Sequence, residues 1–202
     1  MAGIDEAGRG PLAGPVVAAA VASSKVVSIP GVGDSKALSS SLSIELKKKI
    51  FNHPDLLVGV GVAWPEEIDS MNILQASLLA FARAAAKLRI PPGFCLLDGH
   101  MKSPYLQYPQ QPIIKGDAKS FLIGAASIVA KETRDSIMNY YHRKWPYYGF
   151  LKHKGYPTAM HLSAIQEFGV CSIHRKSFDP VRRVLEKRDV KQESFNSDFS
   201  LT

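Results

Sequence analysis

The sequence predicts a mixed α/β fold, and three observations carry that expectation. Short apolar runs bounded by turn residues open the chain, apolar residues recur at helical spacing through its middle, and helix signals dominate its C-terminal part. The 202 residues suffice for one compact domain with a sizeable core. A composition of 46% hydrophobic and 21% charged residues excludes collagen, coiled coil and wholesale disorder. The apolar stretches fall short of the roughly 20 residues a helical membrane span needs, and the opening residues lack the layout of a secretory signal. Neither spanning nor export is therefore expected, and a cytoplasmic location is.

Met1 to Asp5 is short for a first strand, which usually runs about five or six residues, so a longer native N-terminus is an expectation. After the glycine-rich segment Gly8 to Gly14, the apolar run Pro15 to Val21 suits a buried strand returning from the first. Ser39 to Phe51 reads as a helix with serines at its start, Lys47, Lys48 and Lys49 in its last turn, and Leu42, Leu46 and Ile50 as its apolar stripe. Val58 to Val62 alternates with glycine at period two, the pattern of a third strand that lets another backbone approach closely. Asn72 and Gln75 form a capping signal. Leu74, Leu78, Phe81, Ala85 and Leu88 then follow at alternating spacings of four and three, and the helix stops before Pro91. Phe94 to Leu97 forms a short strand ending in Asp98-Gly99, and Pro112 to Ile114 a shorter one ending at Lys115-Gly116-Asp117. A long helix is expected from Ser120 to Lys144, a shorter one from a Thr158 cap to Gly169, and a last one after Asp179-Pro180. Residues 1–188 thus read as a single domain. Residues 189–202, with one Lys against two Asp and one Glu, read as a disordered tail.

Charge points to the partner. Lys and Arg number 25 against 18 Asp and Glu, a net charge of +7 that favours a polyanion. The two cysteines, Cys95 and Cys171, make neither a metal spacing nor a disulfide framework, so reduced structural thiols are expected. Asp5 and Glu6 stand at the end of the first strand, Asp98 at the end of a later one, and Asp135 on the long helix, on one face with Ser127, Ile128, Lys131 and Met138. Taken singly, each acid reads as a cap or a solvated surface group. If strands one and four are neighbours with the helix across them, the acids cluster, and like charges about 4 Å apart repel by roughly 4 kcal/mol at an effective dielectric near 20. Such a cluster needs cations. All-oxygen ligands favour Mg²⁺ or Mn²⁺ over zinc, and two such ions can serve a phosphodiester displacement.

The segment Gly3-Ile4-Asp5-Glu6-Ala7-Gly8-Arg9-Gly10-Pro11-Leu12-Ala13-Gly14-Pro15 closely resembles the opening motif of ribonuclease HII, the type 2 ribonuclease H, in its bacterial form. Further family-like blocks follow in order: Asp34-Ser35-Lys36, Leu96 to Gly99, Lys115-Gly116-Asp117, Ala125 to Lys131 running on to Arg134-Asp135, Lys154 to Thr158, and His174 to Phe178. The resemblance covers roughly residues 3 to 185. It implies an RNase H-like fold, a five-stranded mixed sheet flanked by helices, with a helical C-terminal extension. It also implies that Asp5, Glu6, Asp98 and Asp135 are catalytic acids that hold Mg²⁺ or Mn²⁺, two ions during catalysis, while Asp34 and Asp117 are turn residues nearby.

The activity implied is hydrolysis of the phosphodiester 5′ of a ribonucleotide, in RNA/DNA hybrids and at single ribonucleotides embedded in duplex DNA, leaving 3′-hydroxyl and 5′-phosphate ends. Gly8, Arg9 and Gly10 leave the backbone free to approach a ribose 2′-hydroxyl. The resemblance has Tyr156 stack on the sugar after the ribonucleotide and Lys36 contact a phosphate. Read without it, those glycines are a tight turn, Tyr156 a packing residue and Lys36 a solvated lysine. Lys115, Arg143, Lys144, Lys152 and Lys154 are expected to widen the basic surface. His153, His161 and His174 read as structural, and Trp64, Tyr140, Tyr141, Trp145, Tyr147 and Tyr148 as helix and core packing. Gln192 to Phe195 and Phe199 in the tail give a weak replication-clamp motif, and a monomer is expected. Two rival readings are a non-catalytic duplex-binding module of the same fold and another RNase H-like metal nuclease acting on DNA alone.

Overall fold

The structure is a computed structural model that describes residues 1–33 and 39–187. Lys36, Asp34 and the tail motif therefore lie outside the described residues.

Five strands, β1 (Ala2–Ala7), β2 (Val16–Ala22), β3 (Leu57–Ala63), β4 (Cys95–Asp98) and β5 (Gln110–Ile113), form one mixed sheet in the order β3-β2-β1-β4-β5. β1 pairs antiparallel with β2 and parallel with β4. The first strand has six residues and an ordinary length, because it runs on through Asp5 and Glu6 to Ala7. The two later strands lie one or two residues from their expected bounds. β5 is an edge strand, where Pro112 costs no internal ladder bond.

β2 is buried along its whole length and feeds both faces of the sheet. Val16, Ala18 and Ala20 join Ile4 and Leu97 in the layer under the helices α2 (Pro65–Met71) and α3 (Ile73–Ala86). Ala19 and Val21 face the other layer, under α1 (Ser40–Asn52) and α4 (Phe121–Lys144). Each fully buried Ile or Leu contributes roughly 1.5–3 kcal/mol of transfer free energy. The glycines of β3 do what their pattern foretold: a Cβ on Gly59 or Gly61 would run into the backbone of α3 at Ala84 or Ala80.

Helix starts follow their caps. Ser39 caps α1 by accepting from Leu42 N–H, and Asn72 Oδ1 caps α3 by accepting from Leu74 and Gln75 N–H at 3.0 and 3.1 Å. Leu42 does not share the apolar stripe of α1: it is exposed, and Ser43 takes the inward place beside Leu46 and Ile50. Leu88 is buried just beyond the end of α3 rather than within it. α2 was not among the expected helices, although Pro65 stands at its first turn and the Glu67 carboxylate accepts from Trp64 N–H at 3.0 Å.

Beyond α4 come a short α5 (Phe150–His153), α6 (Ala159–Phe168) with Thr158 as its cap, and a helix α7 over 179–187. They close a third apolar cluster around Leu12, Ala13, Met138, Tyr148, Phe150, Ile165 and Val181. Tyr148 is core and Tyr141 stacks on Trp145, whereas Trp64, Tyr140 and Tyr147 are substantially exposed rather than packed away. Among the described residues no helix is long and apolar enough to cross a membrane.

Candidate active site

The parallel pairing of β1 with β4 makes Ile4 the partner of Leu97, so Asp5-Glu6 and Asp98 emerge at the same end of the sheet. α4 runs alongside β1 in the same direction. A Cβ on Gly3 would meet Leu122 and Ile123, and one on Gly8 would meet Arg134. The five residue steps from position 3 to 8 span about 17 Å, and the twelve helical steps from 122 to 134 rise about 18 Å, so the two segments keep step. Asp135 follows directly on Arg134 and so stands at the Gly8 end of β1.

Asp5 is 7% exposed and accepts from the Glu6 N–H at 2.7 Å. Burial, with the charges of Glu6 and Asp98 beside it, pushes its carboxyl up to about 8, against a hydrogen bond from Ser127 of α4. Burial first, and the Asp98 charge as well, raise Glu6 from its ordinary value, although the Arg9 guanidinium at 3.5 Å offsets part of this. The Asp98 carboxylate accepts from Gly116 N–H at 2.7 Å, which fixes its direction. Asp135 pairs with Lys131 one turn earlier at 3.1 Å, and the same ammonium reaches Glu132 at 2.8 Å. The structure thus brings Asp5, Glu6 and Asp98 into one electrostatic cluster, whereas Asp135 is not among the groups that act on Asp5 or Glu6 and is engaged by Lys131. A small cleft of about 30 Å³ opens there between Glu6, Arg9, Asp98, Gly99 and His100.

Side chains as they stand form no group of three Asp, Glu, His or Cys able to grip a metal ion among the described residues. The donor set nevertheless fits a hard cation. It is all carboxylate, and burial first, with the charges of Glu6 and Asp98 added to it, disfavours the ionised form of the most buried member, a cost that a bound cation would offset.

Next to the acids lies the segment expected to read the sugar. Gly8 has φ +100°, and a Cβ there would strike Arg134 Nε and Pro15 O. Gly10 is exposed, and a Cβ on it would stand 3.6 Å from Tyr156 Cε1, so the tyrosine ring faces this loop. Tyr156 is 47% exposed and the Arg134 guanidinium sits 5.9 Å from its ring centroid, so it is no buried packing tyrosine. Lys115, Arg143, Lys144 and Lys152 are exposed, whereas the Lys154 ammonium is turned inward onto Asn139 Oδ1 and Leu151 O. Asp117 is exposed on a 3-10 turn over Gly116–Ala118.

The three histidines hold one another. His161 Nδ1 faces Tyr156 O at 3.0 Å, and a carbonyl only accepts, so that nitrogen carries the proton. His174 Nδ1 accepts from Cys171 N–H, which leaves its Nε2 proton to reach His161 Nε2 at 3.1 Å. Burial pushes His161 down to about 4 and His174 to about 3, so both rings are neutral. Burial likewise pushes both Cys95 and Cys171 up to about 11, consistent with inert thiols.

A family model described as ribonuclease HII matches residues 2–181. The chain belongs to the ribonuclease HII family. It is 52% identical over 188 residues to a ribonuclease HII of Maricaulis maris, covering 93% of this chain and 85% of that one. A ribonuclease HII of Chlamydia caviae is 49% identical over 185 residues, covering 92% of this chain and 86% of the relative. Among solved structures, ribonuclease H2 from Pyrococcus horikoshii superposes with a TM-score of 0.73 at 29% identity, over 92% of this chain and 97% of that one. The ribonuclease HII in a complex with PCNA from Archaeoglobus fulgidus gives 0.74 at 27% identity, over 90% and 96%. The chain is thus a ribonuclease H, a hydrolase and endonuclease, with the five-stranded mixed sheet of its structural relatives.

Two buried residues beside this site, Arg134 and Arg175, stand in family-like blocks of the sequence but drew no role from it. Arg134 and Arg175 are 2% and 0% exposed, and all their hydrogen bonds go to backbone carbonyls of the loops just described. A lone arginine carries no periodic signal, so nothing local announces its burial or the carbonyls it meets.

Proposed function

We propose that this ribonuclease HII cuts on the 5′ side of a ribonucleotide, in RNA/DNA hybrids and at single ribonucleotides embedded in duplex DNA, leaving 3′-hydroxyl and 5′-phosphate ends. The observation that carries the reading is continuity. Asp5 and Glu6, which interact with Asp98, are three and two residues from the Gly8-Arg9-Gly10 loop, and that loop faces Tyr156. One ribonucleotide can touch both.

In this reading Asp5, Glu6, Asp98 and Asp135 hold the divalent cations, Mg²⁺ or Mn²⁺. Two such ions, when bound, would supply an activated water and charge stabilisation for the leaving oxygen. Asp98 is oriented for its part by Gly116 N–H, and Asp5 by Glu6 N–H and Ser127. Arg9 and Lys131 are exposed cations that balance Glu6 and Asp135 until the substrate complex forms. Gly8, Arg9 and Gly10 present main chain to the ribose 2′-hydroxyl, the group that tells RNA from DNA. Tyr156 stacks on the following sugar, and Lys36 contacts a phosphate. The exposed Lys115, Arg143, Lys144 and Lys152 extend a sequence-independent grip on the duplex.

We further take residues 1–188 as one catalytic domain that acts as a monomer in the cytoplasm. Residues 189–202 would be a tail that touches a replication clamp weakly, in keeping with the PCNA complex of the Archaeoglobus relative. The test is substitution of the acids. Asp98→Asn and Asp135→Asn should each abolish cleavage while leaving duplex affinity and the folded state intact. A residual rate within about tenfold of the parent, against the 10³-fold or greater losses typical of essential groups, would remove that residue from the mechanism.

A further inference from the structure

Two buried guanidiniums lie under the sugar-reading loop with no carboxylate in salt-bridge range among the described residues, an arrangement that is costly unless their N–H groups are met. Arg175 donates to Gly14 O and Arg9 O at 2.9 Å each and to Gly8 O at 2.5 Å. Arg134 donates at 3.0 Å to Pro15 O, Ala13 O and Lys154 O. Burial pushes them down to about 9 and about 10, so both stay charged at neutral pH. Five of the six carbonyls belong to residues 8–15, and the sixth lies two residues before Tyr156. Backbone bonds from Leu12 N–H to Gly155 O and from Arg175 N–H to Leu12 O tie the same three segments together.

The peptide planes then dictate what faces outward. A trans peptide points its C=O and N–H in opposite directions, and no peptide bond here is cis. Gly8 C=O shares a plane with Arg9 N–H, and Arg9 C=O with Gly10 N–H. With both carbonyls drawn inward onto Arg175, the two amides point away from it. Neither donates to an acceptor among the described residues, and Arg9 and Gly10 are both exposed.

We propose that Arg175 is a positioning residue for substrate specificity: by holding the Gly8 and Arg9 carbonyls it aims the Arg9 and Gly10 amides at the substrate's sugar, with Arg134 fixing the rest of the loop against the Tyr156 segment. The inference rests on the reading that Gly8 to Gly10 contact the ribose. Arg175→Lys keeps the charge, but a single ammonium lacks the planar fork that reaches three carbonyls.

The experiment measures binding in an Asp98→Asn background, so that duplexes stay uncut. Affinity is compared for a DNA duplex carrying one ribonucleotide and for its all-DNA counterpart, with and without Arg175→Lys. The expected result is all-DNA affinity within about twofold of the parent and a preference for the ribonucleotide reduced about tenfold, the worth of one good hydrogen bond. An unchanged preference, with only a lower melting temperature, would overturn the proposal and leave Arg175 a purely structural cation. A preference already near one in the parent would overturn the sugar-reading proposal itself and this one with it. Should Arg175→Lys fail to fold, ¹⁵N relaxation of the unliganded parent decides. The Arg9 and Gly10 amides should show order parameters near the rigid-backbone value of about 0.85, and values under about 0.6 would overturn the proposal.

Discussion

Replacing Asp5 by Asn should make the cation-free protein more stable while destroying its activity. In the folded chain the Asp5 carboxyl is pushed up to about 8 from an ordinary value of 3.8, chiefly by burial. A folded-state pKa above the unfolded one means that the folded protein binds the proton more tightly. Stability is then fully present below pH 3.8 and is lost as pH rises toward 8. At pH 7 the loss is about 4 kcal/mol, at roughly 1.36 kcal/mol per pH unit. Asparagine can keep the bond from Glu6 N–H and answer Ser127, and imperfect geometry should cost about 1–2 kcal/mol of the gain. The net is about 2 kcal/mol, or roughly 4–8 °C in melting temperature for a chain of this size. The assay is thermal melting of parent and Asp5→Asn in chelator across pH 4 to 8. Near pH 4 the variant should melt slightly below the parent, the curves should cross about one pH unit higher, and the variant's lead should then widen toward pH 8, while Mg²⁺ at pH 7 should raise the parent more than the variant. A gap that does not widen with pH, or a variant less stable than the parent at pH 8, would refute the reasoning.

Gly8→Ala should destabilise by at least about 2 kcal/mol and abolish cleavage, because φ is +100° and a Cβ would displace Arg134; a normal melt by circular dichroism would contradict this. Burial depresses His161 to about 4, so its neutral ring is favoured in the folded state, and stability should rise with pH from about 4 to 6.5 and then level. Measured in the Asp5→Asn background, which removes the largest opposing slope, His161 alone should contribute a rise on the order of 3 kcal/mol, with His174 adding to it, and a flat profile over that range would count against the buried histidine chain. Tyr156→Ala should weaken selectivity for the ribonucleotide junction, read by cleavage of matched duplexes, with Mn²⁺ affinity unchanged by calorimetry; an unaltered junction preference would release the residue from its role.

Much of this site was legible because strand ends and helix faces leave marks. The Val58 to Val62 alternation, the Asn72 and Thr158 caps and the terminal Asp98 each follow from local chemistry, and each appears in the structure close to where it was expected. What no local pattern specifies is the neighbour relation of β1 and β4, on which the meeting of Asp5, Glu6 and Asp98 depends; only the resemblance to a family supplied it. The arginines lay further out of reach. Arg134 finds Pro15 across 119 residues of chain and Arg175 finds Gly8 across 167, and both bond to carbonyls, which every residue has. Ser43 in place of Leu42 on the inner face of α1 shows the opposite failure, in which hydropathy alone misplaced a stripe by one position: Ser43 is buried and Leu42 is exposed.

The most direct test of the central claim is incision of an end-labelled DNA duplex with one embedded ribonucleotide, run beside an all-DNA control with Mg²⁺, Mn²⁺ or chelator. A single cut on the 5′ side of the ribonucleotide, present with either metal and absent with chelator and in the control, is the predicted result. Cutting of the all-DNA duplex would contradict the assignment of Gly8, Arg9, Gly10 and Tyr156 as sugar readers, and undiminished incision in chelator would contradict the carboxylate cluster as a cation site.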